Sequence, residues 1–95
     1  MIVSMIQFIF EIPDVESIKD KRRIIRSIKE KLHRRFHISA AEVDLLDSLS
    51  YGHIGGALVS NSKSFGESVL QKAFLMIEKD IPARIQDISI HSEEF

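Results

Sequence analysis

Apolar residues dominate the first dozen positions of the chain, until Pro13-Asp14 ends the run. Strand alternation divides them into two faces, one with Ile2, Ile6, Phe8, Phe10 and Ile12, the other with Val3, Met5, Gln7, Ile9 and Glu11. Because both faces are largely apolar, residues 2–12 are predicted to form a central strand that is covered on both sides.

Two later segments have the spacing of amphipathic helices. In residues 18–36, which Ser17 can cap, the predicted stripe consists of Ile24, Ile28, Leu32 and Phe36, widened by Ile18 and Ile25. A second helix is predicted over about 63–79, with a cap at Ser60, Asn61 or Ser62 and a stop at Pro82. Its predicted stripe consists of Phe65, Val69, Ala73, Met76 and Ile77.

Three further segments, residues 38–47, 54–60 and 83–91, are predicted strands, and residues 48–53 are compatible with turn or strand. The resulting order is β-α-β-β-α-β, which is typical of the α+β ferredoxin-like fold. We therefore predict one domain over residues 1–95, with a four-stranded antiparallel sheet and both helices on one face. The opposite sheet face is left for solvent, a ligand or a partner.

Charge is distributed very unevenly along this chain. Residues 17–36 hold nine of the 13 basic side chains and only two acidic ones, a net charge of +7, whereas the remaining residues carry −8. The total of −1 therefore hides a strongly dipolar molecule. Basic side chains on the outward side of the first helix are candidates for binding nucleic-acid phosphates, namely Lys19, Arg22, Arg23, Arg26, Lys29 and Arg34. The alternative interpretation is a solvated helix face, partnered at its ends by the chain's own acids.

Several stretches in the right order resemble the bacterial YlxP-like family, a small domain family of unassigned function. They are Ser17-Ile18-Lys19-Asp20-Lys21-Arg22, Leu32-His33-Arg34-Arg35-Phe36, Ala41-Glu42-Val43-Asp44 and Val59-Ser60-Asn61. The stretch Ser48-Leu49-Ser50-Tyr51-Gly52-His53 departs from the aromatic and basic residues expected after Asp47. The resemblance implies a ferredoxin-like fold and a bacterial setting, with genes near those for a translation initiation factor and a ribosome maturation factor.

Other polar groups give weaker indications. His33 and His37 have the i, i+4 spacing of two zinc ligands, but no third ligand is suggested, and helix-end residues are the simpler interpretation. Glu42 and Asp44 are two positions apart in a strand and so are predicted to share one face, with Asp47 nearby. Paired carboxylates can perform acid–base catalysis or bind a divalent cation, but the simpler interpretation is an edge strand kept soluble by charge. Gly55-Gly56 lacks the spacing of a phosphate loop and indicates a close backbone approach or a bulge. We expect no enzyme, no catalytic residue, no cofactor and no metal.

The partners follow from the same patterns. The two-sided apolar first strand would leave an apolar sheet face bare in a monomer, which predicts a homodimer or a ligand there. RNA or the ribosome is the partner that the basic helix suggests. The apolar start has no basic leader and is too short to span a bilayer, and the chain has no cysteine. We therefore expect a cytoplasmic protein without a membrane partner. A dimeric interaction or ligand-sensing module is the alternative to an RNA-associated one.

Overall fold

The computed structural model describes residues 1–95 and contains six elements in the predicted order. They are β1 (Ile2–Glu11), α1 (Ile18–Phe36), β2 (Ser39–Asp44), β3 (Tyr51–Ser60), α2 (Lys63–Asp80) and β4 (Arg84–Glu94). The strands form one antiparallel sheet in the order β2-β3-β1-β4. The α+β class and the ferredoxin-like fold are confirmed.

Strand ends were predicted less well than helix ends. β2 stops at Asp44 instead of residue 47, because Leu45 adopts a left-handed conformation (φ 59°) that starts a turn. β3 begins at Tyr51 instead of residue 54, since residues 51–53 pair with residues 9–11 of β1. β4 continues to Glu94, which pairs with Ile2. β3 and β4 are longer than predicted because both pair with β1 along its whole length. The local sequence patterns of β3 and β4 carry no information about that length.

The inner face of β1 forms the centre of the core. All five residues predicted for this face are buried, and Phe8 and Phe10 are nearly inaccessible to solvent. Ser4 lies on the same face and is buried as well, with a 2.8 Å hydrogen bond to the hydroxyl of Ser92. The Phe8 ring contacts Phe10 on its own strand and Phe74 of α2, with centroids 6.2 and 6.3 Å apart.

Both helix stripes overlap the predicted ones, at Ile25, Ile28 and Leu32 of α1 and at Ala73 and Ile77 of α2, but each is rotated slightly. In α1 the buried residues are Lys21, Ile25, Ile28 and Leu32, whereas Ile18, Ile24 and Phe36 are only partly buried. In α2 the buried residues are Gly66, Leu70, Ala73 and Ile77, and the predicted Phe65 is 59% exposed. A Cβ added at Gly66 would clash with the Ser4 side chain. This close approach to β1 directs Gly66 inward, and the neighbouring Phe65 therefore points outward.

Each of the two edge strands contains an irregularity. In β2 the register shifts between Glu42 and Asp44, and in β4 it shifts beside Asp87, which has a φ of 53°. Gly56 lies in the middle of β3, where an added Cβ would come within 2.9 Å of the Ile38 side chain. The close approach predicted for Gly55-Gly56 is thus confirmed, and the bulges lie on other strands. Bulged edges disfavour the addition of a further strand.

Candidate nucleic-acid interface

The first helix is fixed at both ends by local hydrogen bonds. The Ser17 hydroxyl accepts from the backbone N–H of Asp20 at 3.2 Å, as predicted for an N-cap. At the other end His37 adopts a left-handed conformation, and its backbone N–H donates to the carbonyl of His33. His37 is therefore the C-cap residue. No group of three or more His, Asp or Glu side chains is placed to hold a metal ion.

Lys21 is the residue of α1 whose role the sequence pattern did not reveal. Its side chain is only 2% exposed, and its ammonium group donates to the carbonyls of Leu45 and Ser48 at 2.7 and 2.6 Å. The ammonium also forms an ion pair with Glu42, 3.1 Å from its Oε2, and this buried oxygen accepts no hydrogen bond. Lys21 thereby joins α1 to the turn between β2 and β3. Its spacing from Ile25, Ile28 and Leu32 was the signal that places it in the buried stripe.

Two more basic residues of α1 share one acidic partner on α2. Lys31 and Arg35 both lie 3.8 Å from Oδ2 of Asp80, at the C-terminal end of α2. Arg35 additionally donates to the sulfur of Met76. The alternative interpretation, in which the chain's own acids partner the helix, therefore holds for these two residues and for Lys21.

The remaining six basic residues of α1 have no carboxylate oxygen within 4.0 Å. We call this set the cationic ridge: Lys19, Arg22, Arg23, Arg26, Lys29 and Arg34. Lys29 is half-buried and the other five are exposed. The ridge is the full set of candidates that the sequence predicted, and it extends about 22 Å along the helix at 1.5 Å per residue.

The ridge is densest near the start of α1. Lys19, Arg22, Arg23 and Arg26 together line a recess of about 390 Å³. Their spacings of three, four and seven positions bring them to one side of the helix. Guanidinium groups in such a cluster can donate pairs of hydrogen bonds to phosphate oxygens.

The carboxylates predicted to share a face of β2 are separated by the bulge. Glu42 is opposite buried Ile54 and is held by Lys21, whereas Asp44 is opposite His53. Asp44 Oδ1 accepts from the backbone N–H of Leu45 and so stabilises the turn. The prediction of a shared face was wrong, because one extra residue in the strand reverses the alternation.

The sheet face opposite the helices is a second open surface, which we call the outer face. It includes Met5 and Gln7 of β1, Val43 of β2, Val59 of β3 and His91 of β4. Val59 is 65% exposed, and small residues in the middle of the sheet leave a concavity of about 480 Å³. The concavity is lined by apolar and neutral polar side chains together with His91. This face therefore differs chemically from the cationic ridge.

Polar groups of the outer face form hydrogen bonds with one another. The hydroxyl of Tyr51 donates to Glu11 at 2.7 Å, and the hydrogen bond and charge of Glu11 raise the pKa of Tyr51 above its ordinary value. His91 lies 2.6 Å from Glu93, and this hydrogen bond lowers the pKa of the Glu93 carboxyl. Gln7 and His53 are joined across β1 and β3 at 2.9 Å. Most polar side chains of this face are therefore satisfied internally.

The ferredoxin-like sheet and the helix-borne ridge define the class: a small α+β protein with an open, concave sheet face and a cationic helix surface. The chain belongs to the family described as "Protein of unknown function (DUF503)", whose model matches residues 3–90. It is 30% identical over 65 residues to "Uncharacterized protein YlxP" of Bacillus subtilis (strain 168), across 68% of this chain and 71% of that protein. The YlxP-like resemblance of the sequence is thereby confirmed.

A solved structure is similar over almost the whole chain. It is a dimeric protein of unknown function and ferredoxin-like fold from Bacteroides fragilis NCTC 9343, with a TM-score of 0.53 and 13% identity. The match covers 99% of this chain and 96% of that one. At this identity the likeness supports the fold alone. Neither helix of the present protein is long and apolar enough to cross a membrane.

Proposed function

We propose that this protein is a non-enzymatic module that binds RNA phosphates through the cationic ridge. The observation that carries the proposal is the set of six basic side chains on α1 that have no acidic partner, in a chain whose total charge is −1. Lys21, Lys31 and Arg35 of the same helix all have such a partner. The fold thus neutralises the inward and flanking cations of α1 and leaves the outward ones free.

The arrangement favours contacts with phosphates over readout of bases. Proteins of this fold that read single-stranded RNA stack bases on aromatic residues of the sheet. Here β3 contains Tyr51 as its one aromatic residue, and the Tyr51 hydroxyl is bound to Glu11. Phosphate contacts position a protein without reading sequence, so we expect similar affinity for different RNA sequences. The gene neighbourhood that the family resemblance implies suggests the ribosome as the source of this RNA.

The direct test is the double substitution Arg23→Glu/Arg26→Glu, titrated with a structured RNA at two salt concentrations. Because both residues are exposed, the variant should fold normally. It should bind RNA at least tenfold more weakly, because about two phosphate contacts are lost. For the unchanged protein, log affinity should fall with log salt at a slope of about −3 to −4.5 if about four or five phosphates are neutralised.

The matched control is Lys63→Glu/Lys72→Glu, which makes the same change in net charge at exposed positions of α2. Its affinity should change much less, because α2 lies outside the ridge. Equal loss in both variants would mean that net charge rather than the ridge governs binding. Absence of binding by the unchanged protein at low salt would also refute the proposal. Co-sedimentation with ribosomal subunits then tests the cellular setting.

A second candidate function is a dimeric interaction module that uses the outer face. Four strands about 4.8 Å apart and up to eleven residues long present roughly 600 Å² of sheet surface. This is near the lower limit of about 600 Å² per partner for stable interfaces. The bulged edges disfavour edge-to-edge pairing, so association through the face is the remaining mode. This candidate is compatible with RNA binding, because the outer face and α1 lie on opposite sides of the sheet.

A further inference from the structure

One acidic side chain interrupts the cationic ridge. Glu30 is exposed and lies one helical turn after Arg26 and one before Arg34, on the same side of α1. It makes no ion pair with either arginine or with any other basic group within 4.0 Å. A carboxylate in this position repels phosphate. A ligand that places phosphates evenly along the whole ridge therefore does not explain why Glu30 is there.

Glu30 divides the ridge into two groups of cations. The four residues around the recess lie at least one helical turn before Glu30, Lys29 is adjacent to it, and Arg34 follows it with His33 nearby. The centres of the two groups are about 16 Å apart along the helix axis. Each group can therefore contact phosphates of a different strand, with Glu30 above the groove between the strands.

We infer that the ligand is duplex RNA, and that Glu30 recognises ribose 2′-hydroxyls in the minor groove; the inference rests on the proposed function of the ridge. The minor groove of an A-form helix is wide and shallow, and it displays 2′-hydroxyl groups between the two phosphate backbones. A carboxylate accepts hydrogen bonds and donates none, so it suits a hydroxyl donor at this point. α1 lies across the groove, with Lys19, Arg22, Arg23 and Arg26 on one backbone and Arg34 on the other.

This arrangement makes Glu30 a determinant of specificity for RNA over DNA. A DNA duplex has no 2′-hydroxyl. The Glu30 carboxylate would therefore be repelled by the DNA phosphates without a compensating hydrogen bond. Repulsion from phosphates acts in both duplexes and largely cancels in the ratio of the two affinities. The ratio therefore isolates the hydrogen bond to the 2′-hydroxyl.

The test compares an RNA duplex of about 16 base pairs, the length that spans two successive minor grooves, with a DNA duplex of the same sequence. The unchanged protein should prefer RNA. Glu30→Ala should bind DNA more tightly than the unchanged protein does, and should lower the RNA-to-DNA affinity ratio about tenfold, the effect of losing one hydrogen bond to a charged group. Glu30→Gln retains an acceptor oxygen and should keep more of the preference than Glu30→Ala.

Glu78→Ala is the control, because it removes an exposed carboxylate from α2 with the same change in net charge. It should leave the ratio unchanged. An unaltered ratio in Glu30→Ala, or equal affinity of the unchanged protein for the two duplexes, would overturn the inference about Glu30 while leaving the ridge as an RNA-binding surface. If the unchanged protein did not bind RNA at all, the proposed function itself would be refuted.

Discussion

Lys21 shows how one side chain of α1 can serve structure while its neighbours remain free for a ligand. Its ammonium donates to the two turn carbonyls and lies 3.1 Å from the Glu42 carboxylate, so that the buried charge has both hydrogen-bond acceptors and a counter-ion. A buried cation of this kind is tolerated only when it is paired and hydrogen-bonded. The basic motif at the start of α1 therefore contains two kinds of residue, one structural and the others exposed.

Replacing Lys21 by Met should lower the free energy of unfolding by about 3 kcal/mol, near the lower limit for a broken buried ion pair, because the methionine satisfies neither Glu42 nor the turn carbonyls. Denaturation by urea measures the loss. The additional change Glu42→Gln should restore part of it, since the unpaired buried charge is then removed. A loss below about 0.5 kcal/mol in the single variant would mean that Lys21 does not anchor the turn.

At the scale of the element, α1 combines two faces with opposite requirements. Its inner residues, Ile25, Ile28 and Leu32, are buried in the core and stabilise the fold. Its outer residues place like charges three and four positions apart, which destabilises a helix by about 0.2–0.5 kcal/mol for each close pair. The ridge is therefore a cost to the free protein that a polyanion would remove. Neutralising one of its cations should consequently stabilise the fold while weakening binding.

We expect this result for Arg22→Gln, because the neighbours of Arg22 one turn away on the exposed surface are Lys19 and Arg26. The free energy of unfolding should rise by about 0.5 kcal/mol at low salt, and the gain should fade as salt screens the charges. Thermal denaturation at two ionic strengths measures both effects. The control is Lys72→Gln, which lies outside the ridge on α2. A lower stability for Arg22→Gln at low salt would show that the ridge does not strain the helix.

On the scale of the whole molecule, the sheet separates two surfaces of different chemistry. The helical side carries the cationic ridge, whereas the outer face has a concavity at its centre and polar side chains that mostly hydrogen-bond to one another. If two copies associate through their outer faces, both ridges remain exposed, on opposite sides of the dimer. Such a dimer could hold two segments of RNA at once, which raises the effective affinity for a ligand that reaches both.

We predict a homodimer in solution, with a mass twice that of one chain by light scattering at micromolar concentration. Val59→Glu should shift it to monomer, because a charge would be buried in the interface. Leu75→Glu is the matched control, since Leu75 is comparably exposed but lies on α2. A monomeric unchanged protein would leave the outer face to a ligand. A dimer insensitive to Val59→Glu would place the interface elsewhere.

Element order and the outward position of the six ridge residues could be predicted from the sequence, since both depend on local spacing. The inner face of β1 was identified in the same way, because strand alternation is a period of two. The stripes of α1 and α2 were predicted only in part, because Ile24 is half-buried and Phe65 is exposed. A helix with apolar residues over a wide arc can rotate by one position without changing its pattern, and contacts with the sheet then decide the rotation.

The sequence by itself determined the β-α-β-β-α-β order and the concentration of positive charge on α1, because hydrophobic periodicity and residue charge are local properties. Only the tertiary structure decided which of the nine basic residues of α1 remain free. Asp80 and Glu42 are distant in the chain and reach α1 only when α2 and β2 pack beside it. Tertiary structure also separated Glu42 from Asp44, because the extra residue of the β2 bulge is visible only in its pairing with β3.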